Sequence, residues 1–151
     1  FGIGGDRTQH VLWRITNGEF DGIKPKAVVL MIGTNNSGSD DDDGIAKGVT
    51  AIVKAIHTKS PATKVLLLAI FPRGSKPDGV LGPQQEKLKQ VNAKIAKLHD
   101  GKSVHYLDIG EKFLIEGALK AEIMPDFLHL SKAGYQIWAD AITPKLAELT
   151  K

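Results

Sequence analysis

Two uninterrupted apolar runs of strand length constrain the fold of this chain most strongly. Residues 27–32 form the first run, which ends at Gly33, and residues 65–71 form the second. A run in which every side chain is apolar, rather than every second one, is typical of a strand buried on both faces. Such strands occur in parallel sheets covered by helices, so the two runs predict an α/β domain.

Helical periodicity separates the predicted strands. Between them, apolar residues recur at i, i+4, i+7, i+8 and i+11, and Ser60-Pro61 ends the pattern. This stripe consists of Ile45, Val49, Ile52, Val53 and Ile56. Similar patterns predict a first helix over about 6–17, with Asp6 or Thr8 as N-cap and Gly18 as its stop, a helix over 88–98 and a final helix over 135–149.

Residues 104–108 add a shorter strand, and residues 72–83 form a Pro- and Gly-rich loop after the second strand. The order is then helix, strand, helix, strand, helix, strand, loop, helix. Alternation of this kind predicts one layered domain over residues 1–151, with helices on both faces of a parallel sheet. Functional residues are expected in the loops at the carboxyl ends of the strands.

Composition excludes several classes of protein. The net charge is +3 and the basic residues are scattered, so a nucleic-acid interface is not indicated. No apolar run reaches the roughly 18 residues that span a bilayer. There is no Cys, which excludes a thiol nucleophile but leaves localisation open. The acidic run 40–43 is expected to be a solvated loop or the first turn of the next helix, with calcium binding as a minor alternative.

The segment 126–129, Asp-Phe-Leu-His, is the strongest chemical signal. A carboxylate three residues before an imidazole can orient it as a general base, and the segment lies in the short loop before the last helix. Asp126 and His129 are therefore the candidate acid and base. The other histidines fall within predicted helices or strands and are interpreted as structural or surface residues: His10, His57, His99 and His105.

Two further loops carry groups suited to stabilising an oxyanion. Asn35 follows the first strand and can donate a hydrogen bond from its amide, although the surrounding segment 33–36 would also make an ordinary turn. Near Gly5 the chain opens a helix, which leaves backbone N–H groups free for an anion, although a plain helix N-cap is the simpler interpretation. Together with Asp126 and His129, these groups are the parts needed for acyl transfer, except for the attacking hydroxyl.

Several segments resemble the SGNH (GDSL-type) hydrolase family, and within it the platelet-activating-factor acetylhydrolase group and its bacterial relatives. The similarity covers the whole chain. The segments that carry it are residues 1–8, 10–14, 17–19, 23–26, 33–36, 71–74 and 126–130. The resemblance implies a three-layer α/β/α sandwich with a flavodoxin-like parallel sheet. It also implies an esterase that uses no metal or organic cofactor and acts on a small-molecule ester, acetyl being the expected acyl group. A homodimer is left open.

Carried over residue by residue, the resemblance makes Gly5 and Asn35 the oxyanion hole and Asp126 and His129 the acid and base. Arg73, in the loop after the second strand, is a weaker candidate for lining the substrate pocket. The family's Gly-Asp-Ser block has no match in this chain, and its place would be upstream of Phe1. None of the six serines is in that context: Ser37, Ser39, Ser60, Ser75, Ser103 and Ser131.

The first residues of the chain also agree with the expectation that the Gly-Asp-Ser block lies upstream of Phe1. There is no initial Met, and residues 1–6 resemble a strand end that runs into a Gly-rich turn, so the chain is expected to begin in the middle of the fold, missing the family's first strand. That strand is central to the sheet in the family. Without it an apolar strand edge would be exposed, so we expect the chain alone to be unstable or prone to association.

Two other functions remain open at this point. A flavodoxin-like scaffold without a nucleophile could be a non-catalytic module that binds an acylated or glycan ligand. The joint presence of Asp126, His129 and Asn35 argues against it. A nucleotide-binding domain that uses the glycines of residues 2–5 is the weakest alternative, because the G-x-G-x-x-G pattern is not completed.

Overall fold

The computed structural model describes residues 2–74 and 79–151. Its main sheet contains three parallel strands, β1 (Ala27–Leu30), β2 (Lys64–Leu68) and β3 (Val104–Leu107), in the order β1-β2-β3. All three strands lie where the sequence predicts them. Phe1, in the predicted strand end, and Ser75 lie outside the described residues, and Gly2 and Ile3 belong to no strand.

Four α-helices accompany the sheet in the described part of the chain: α1 (Thr8–Arg14), α2 (Asp42–Lys59), α3 (Gln85–Ile95) and α4 (Lys132–Leu149). Short 3₁₀ segments lie at Thr34–Asn36, Ala96–Leu98 and Gly110–Phe113. A small antiparallel hairpin, β4 (Leu114–Ile115) and β5 (Ala118–Leu119), follows the last of them. The hairpin was not predicted, because each strand has only two residues and its turn is Glu116-Gly117, at φ 53° and 78°, rather than Asn-Gly.

The strand side chains divide between two cores, as the two-residue period of a strand requires. Leu30, Val65, Leu67 and Val104 pack with α1, α2 and α3 on one face. Leu66 and Leu68 pack on the other face against the Gly110–Phe113 segment and α4. The domain therefore has three layers, α/β/α, which confirms the predicted fold class.

The acidic run forms the start of α2. Asp41 is the N-cap and accepts a hydrogen bond from Gly44 N at 2.6 Å, while Asp42 and Asp43 lie in the first turn and pair with Lys94 of α3. Negative charge at a helix N-terminus is favourable, so the first-turn interpretation is confirmed. The apolar stripe of this helix is at most 5% exposed.

The first helix differs from its prediction. Arg7, and neither Asp6 nor Thr8, is the N-cap, and the regular helix ends at Arg14. A wider helical turn continues over Ile15–Glu19, with Asn17 and Gly18 in non-helical conformations. The Thr8 backbone N–H donates to the side chain of Asn36 at 3.0 Å, a long-range contact that local capping rules do not include.

The prediction that β1 is buried on both faces is wrong, since Ala27, Val28 and Val29 are only half-buried. β1 pairs with β2 on one side and with no other described strand. A groove of about 280 Å³ runs beside β1, lined by its residues and by α1 and the turn that follows. Side chains at an unpaired edge lose the cover that neighbouring strands provide. The expected instability of the chain stays a prediction.

Candidate active site

The loop between residues 126 and 129 holds an imidazole against a carboxylate. His129 Nδ1 lies 2.6 Å from Asp126 Oδ2. The second carboxylate oxygen accepts the backbone N–H groups of Leu128 at 3.1 Å and His129 at 2.7 Å, which closes a local turn. Because a carboxylate only accepts hydrogen bonds, the Nδ1 atom carries a proton, and in the neutral imidazole Nε2 then has the lone pair that can act as a base.

These donors also change the acidity of Asp126. The hydrogen bond from the His129 side chain, supported by the backbone N–H groups of His129 and Leu128, lowers the pKa of Asp126 from 3.8 to about 2. The carboxylate therefore remains ionised through the whole physiological range. Both side chains are open to solvent, with 78% of His129 and 56% of Asp126 exposed, so an incoming group can reach Nε2.

Asn35 is oriented by the segment near Gly5. Its Nδ2 atom donates one hydrogen bond to the backbone carbonyl of Asp6 at 2.9 Å, and a second amide hydrogen remains. The Gly5 turn is closed by a hydrogen bond from Asp6 N to Ile3 O at 3.3 Å, with Gly5 at φ 81°. A positive φ at the third position of a β-turn favours glycine, and Gly5 N donates to none of the described residues.

One cavity of about 200 Å³ brings these groups together. Gly5, Asn35 and His129 all line it, with Asp126 directly behind the imidazole. The remaining lining residues are mostly apolar or aromatic: Ile3, Gly4, Met31, Thr34, Phe71, Leu128, Leu130, Tyr135 and Trp138. Segments distant in sequence therefore share one cavity, which is the arrangement needed for all of them to touch one reacting centre.

Sequence patterns missed the aromatic part of this cavity. Tyr135 is the first residue of the apolar helical pattern that predicts the last helix, but it is 58% exposed and its ring stacks on Trp138 at 5.9 Å. Trp138 in turn packs edge-on against Phe71 at 5.1 Å. Helical spacing groups Tyr135 with the core residues of the last helix and does not show that this residue lines the cavity instead.

The buried residue Asn36 is also absent from the predicted site. It accepts from Thr8 N at 3.0 Å and donates to Gln9 Oε1 at 3.1 Å and Asp40 Oδ2 at 2.5 Å. These bonds fasten the turn that carries Asn35 to the start of α1. The dipeptide Asn35-Asn36 gave no local signal of which amide faces the cavity and which one ties the loops together.

A second network supports the Gly5 segment. The Asp6 carboxylate is bound by both terminal nitrogens of Arg14, and Arg14 Nε lies 3.4 Å from Glu19 Oε1. The hydrogen bond from Arg14 lowers the pKa of Asp6 below its usual value, and the reciprocal interaction raises the pKa of Arg14. The backbone carbonyl of Asp6 thus accepts a hydrogen bond from Asn35, and its carboxylate pairs with Arg14 of α1.

Arg73 contacts protein atoms next to the cavity. Its Nη1 atom donates to Thr34 O at 3.1 Å and lies 3.3 Å from Thr34 Oγ1 and 3.4 Å from Ser37 Oγ. Arg73 is not among the residues that line the cavity. A contact between Arg73 and substrate stays a prediction.

None of the described serines lines the cavity. Ser37 donates to Thr34 O, Ser39 contacts Asp40, Ser60 accepts from Thr63, Ser103 contacts Asp100, and Ser131 caps α4. Within the described residues there is no cluster of three or more His, Cys, Asp or Glu side chains arranged around a metal position, and no helix there is long and apolar enough to cross a membrane.

Comparison with known proteins matches residues 1–137 to the GDSL-like lipase/acylhydrolase family. The alpha2 subunit of platelet-activating factor acetylhydrolase IB from Rattus norvegicus is 43% identical over 137 residues, which cover 89% of this chain and 58% of the relative. The alpha1 subunit from Homo sapiens is 42% identical, with coverage of 89% and 57%. This chain therefore spans less than two thirds of the length of these relatives.

Solved structures agree with the fold. A structure from Streptococcus pneumonia, described as a platelet activating factor, has a TM-score of 0.80 and 27% identity and covers 96% of this chain and 70% of its own. A carbohydrate esterase of family 3 from Talaromyces cellulolyticus has a TM-score of 0.78 at 23% identity, with coverage of 99% and 70%, which supports the fold alone. With its α/β/α architecture and a family match over residues 1–137, the chain belongs to the GDSL-like lipase/acylhydrolase family.

Proposed function

We propose that this chain forms the larger part of a serine esterase that hydrolyses short-chain acyl esters. The observation that carries the proposal is that Gly5, Asn35 and His129 line one cavity of about 200 Å³. The proposal places the nucleophilic serine in a Gly-Asp-Ser block upstream of residue 1. Membership of an acylhydrolase family supports this assignment.

In the proposed reaction, His129 Nε2 takes the proton from the serine hydroxyl as the serine oxygen attacks the ester carbonyl. Asp126 holds Nδ1–H, so the imidazole keeps the correct tautomer and its developing positive charge is stabilised. His129 then returns the proton to the leaving alcohol. Water hydrolyses the acyl-serine in a second round of the same steps, which releases the carboxylic acid.

Negative charge develops on the carbonyl oxygen in the tetrahedral intermediate. The Gly5 N–H and the free hydrogen of Asn35 Nδ2 are the proposed donors, together with the backbone N–H of the serine. Because Asp6 O already accepts the other Nδ2 hydrogen, the amide is oriented before substrate arrives. Removing one such donor typically costs about 3 kcal/mol of activation free energy.

The cavity favours a small, uncharged acyl group. Its volume is below the roughly 300–1,000 Å³ of sites for drug-sized ligands. Of the described residues that line it, none is Lys, Arg, Asp or Glu. An acetyl group is therefore the proposed acyl part. The acetylhydrolase names of the relatives support the acetyl part, and a carbohydrate hydroxyl and a lysophospholipid remain the two candidate leaving groups.

The experiment uses the full-length protein that contains these residues, with p-nitrophenyl acetate and p-nitrophenyl octanoate as substrates. We expect turnover of acetate in preference to octanoate, and loss of turnover in His129→Ala. His57→Ala is the matched control, because His57 lies on α2, outside the cavity, and contacts Thr63 O. Near-normal turnover by His129→Ala in a folded protein would remove His129 from the mechanism and overturn the proposal.

The alternative of a non-catalytic binding module has one observation in its favour. None of the described serines lines the cavity. The same experiment separates the two functions. A full-length protein that binds p-nitrophenyl acetate saturably but does not hydrolyse it would be a binding module.

A further inference from the structure

Two loops that carry opposite halves of the proposed site are joined by a pair of adjacent residues. Arg73 and Gly74 follow β2 in the chain and lie between the turn that carries Asn35 and the loop that carries His129. Each residue of the pair makes contact with one of the two loops. The pair therefore forms a structural link between the oxyanion side and the base side.

Arg73 makes the contact with the Asn35 turn. Its Nη1 donates to the backbone carbonyl of Thr34 at 3.1 Å, within normal hydrogen-bond geometry, and lies near the hydroxyls of Thr34 and Ser37. Ser37 Oγ donates to the same carbonyl at 2.7 Å. Because Thr34 immediately precedes Asn35, these donors fix the backbone from which the Asn35 amide projects.

Gly74 makes the contact with the base loop. Its N–H donates to Phe127 O at 2.8 Å. Phe127 has φ 59°, a conformation that is unfavourable for a residue other than glycine, so the surrounding contacts must hold it in place. A Cβ atom on Gly74 would lie 2.9 Å from Phe127 Cβ and 3.3 Å from Val80 O, which explains why a glycine occupies this position.

The backbone of the pair is itself anchored. Arg73 N donates to Gln85 Oε1 at 3.3 Å, and Arg73 O accepts from Gly82 N at 2.8 Å. Gly74 also forms an antiparallel bridge with Leu81. Contacts on both sides of the chain leave the pair little freedom to shift relative to α3.

We infer that Arg73 and Gly74 are positioning residues that set the separation between the Asn35 amide and the His129 imidazole. The inference rests on the proposed function. In this inference Arg73 does not contact the substrate directly but affects the reaction by positioning Asn35. A misplacement of catalytic groups by about 1 Å can reduce the rate by about 10²-fold, so loss of this link should reduce kcat without removing any group that touches the ester.

A double-mutant cycle tests the inference in the full-length protein with p-nitrophenyl acetate. Arg73→Ala is expected to lower kcat by about 10- to 100-fold with little change in KM. The double variant Arg73→Ala/Asn35→Ala should be no slower than Asn35→Ala alone, because residues that act as a unit are not additive. Arg73→Lys keeps one donor and the charge, so it should recover part of kcat and remain folded.

Lys54→Ala serves as the control for truncating a long cationic side chain, because Lys54 is exposed on α2 and lies outside the cavity. A rise in KM alone would make Arg73 a substrate contact and overturn the inference. Additive losses in the double variant would overturn it as well. If His129→Ala and Asn35→Ala are both fully active, the proposed function fails instead, so the two failures are distinguishable.

Discussion

The two sides of the candidate site are built in different ways. On the oxyanion side, Asn35 and Asn36 bond to Asp6 and Thr8, which lie 28 or 29 residues earlier in the chain, and Asn36 is completely buried. On the base side, the hydrogen bonds of Asp126 to described residues all go to groups within three positions of it, and both Asp126 and His129 are exposed. The two amides of the oxyanion side are held by tertiary contacts, whereas the Asp126–His129 pair is held by a local turn, and the tertiary contact of its loop is made by the backbone of Phe127 with Gly74.

Because of this difference, we expect the two sides to contribute differently to the stability of the fold and to the rate of the proposed reaction. A buried amide with several partners contributes to the folded state, since its removal leaves other polar groups unsatisfied. An exposed pair in a local turn contributes little to folding but can contribute a large part of the rate. Substitution on the base side should therefore reduce activity with little loss of stability, whereas on the oxyanion side substitution of Asn35 should reduce activity and substitution of the buried Asn36 should reduce stability.

The largest expected effect is that of Asp126→Asn in the full-length protein. The asparagine side-chain oxygen can still accept the backbone N–H groups of the turn. Its NH2 group would then face His129 Nδ1, and because NH2 is a donor it favours the tautomer in which Nδ1 carries no proton. We expect kcat to fall by about 10⁴-fold. The free energy of unfolding, measured with urea, should change by no more than about 0.5 kcal/mol. A loss of several kcal/mol would show that the base side is also structural.

The next largest effect is expected for Asn35→Ala. Loss of one oxyanion donor should lower kcat by about 10²- to 10³-fold with a modest change in KM. Steady-state kinetics with p-nitrophenyl acetate measure both quantities. An effect confined to KM would reassign Asn35 to substrate binding.

A smaller effect, on folding rather than on rate, is expected for Asn36→Ala. The buried Thr8 N–H loses its acceptor, so the free energy of unfolding should fall by about 1–3 kcal/mol. The exposed base side provides the matched comparison through Asp126→Asn. Equal stability losses in the two variants would remove the contrast between a tertiary side and a local side.

The smallest effect concerns pH. The pKa of Asp126 is lowered to about 2, chiefly by the hydrogen bond from His129, so its favourable interactions are present above its usual value of 3.8 and are lost as the pH falls through about 2. A ¹³C NMR titration of the Asp126 carboxyl should give a midpoint near 2, and His129→Ala should raise it. A midpoint near 3.8 in the unsubstituted protein would show that the pair does not form in solution.

The fold could be predicted largely because its elements have strong periodic patterns. The α2 stripe and the apolar run of β2 are patterns that can be seen in the sequence alone, and both lie where they were expected, as does the shorter strand β3. β1 was expected to be buried on both faces, but three of its four residues are half-buried, because burial depends on the neighbours of a strand and not on its own composition. The short hairpin after residue 113 carries too few residues to show a pattern.

The site could be predicted only in part. Asp126, His129, Asn35 and Gly5 were identified from their loops and from the resemblance, and the structure brings three of them to one cavity with Asp126 behind. Their catalytic roles stay predictions. The hydrogen bond between Asn36 and Thr8 and the contacts of Arg73 with Thr34 could not be predicted. They join segments that are distant in sequence and have no shared local pattern.

The most direct test is a crystal structure of the full-length protein after reaction with a fluorophosphonate. This account predicts an adduct on a serine upstream of residue 1, with the phosphonyl oxygen about 2.7–3.1 Å from both Gly5 N and Asn35 Nδ2. An adduct on any residue within 1–151, or a phosphonyl oxygen well beyond hydrogen-bond distance, more than about 3.5 Å, from both atoms, would contradict it.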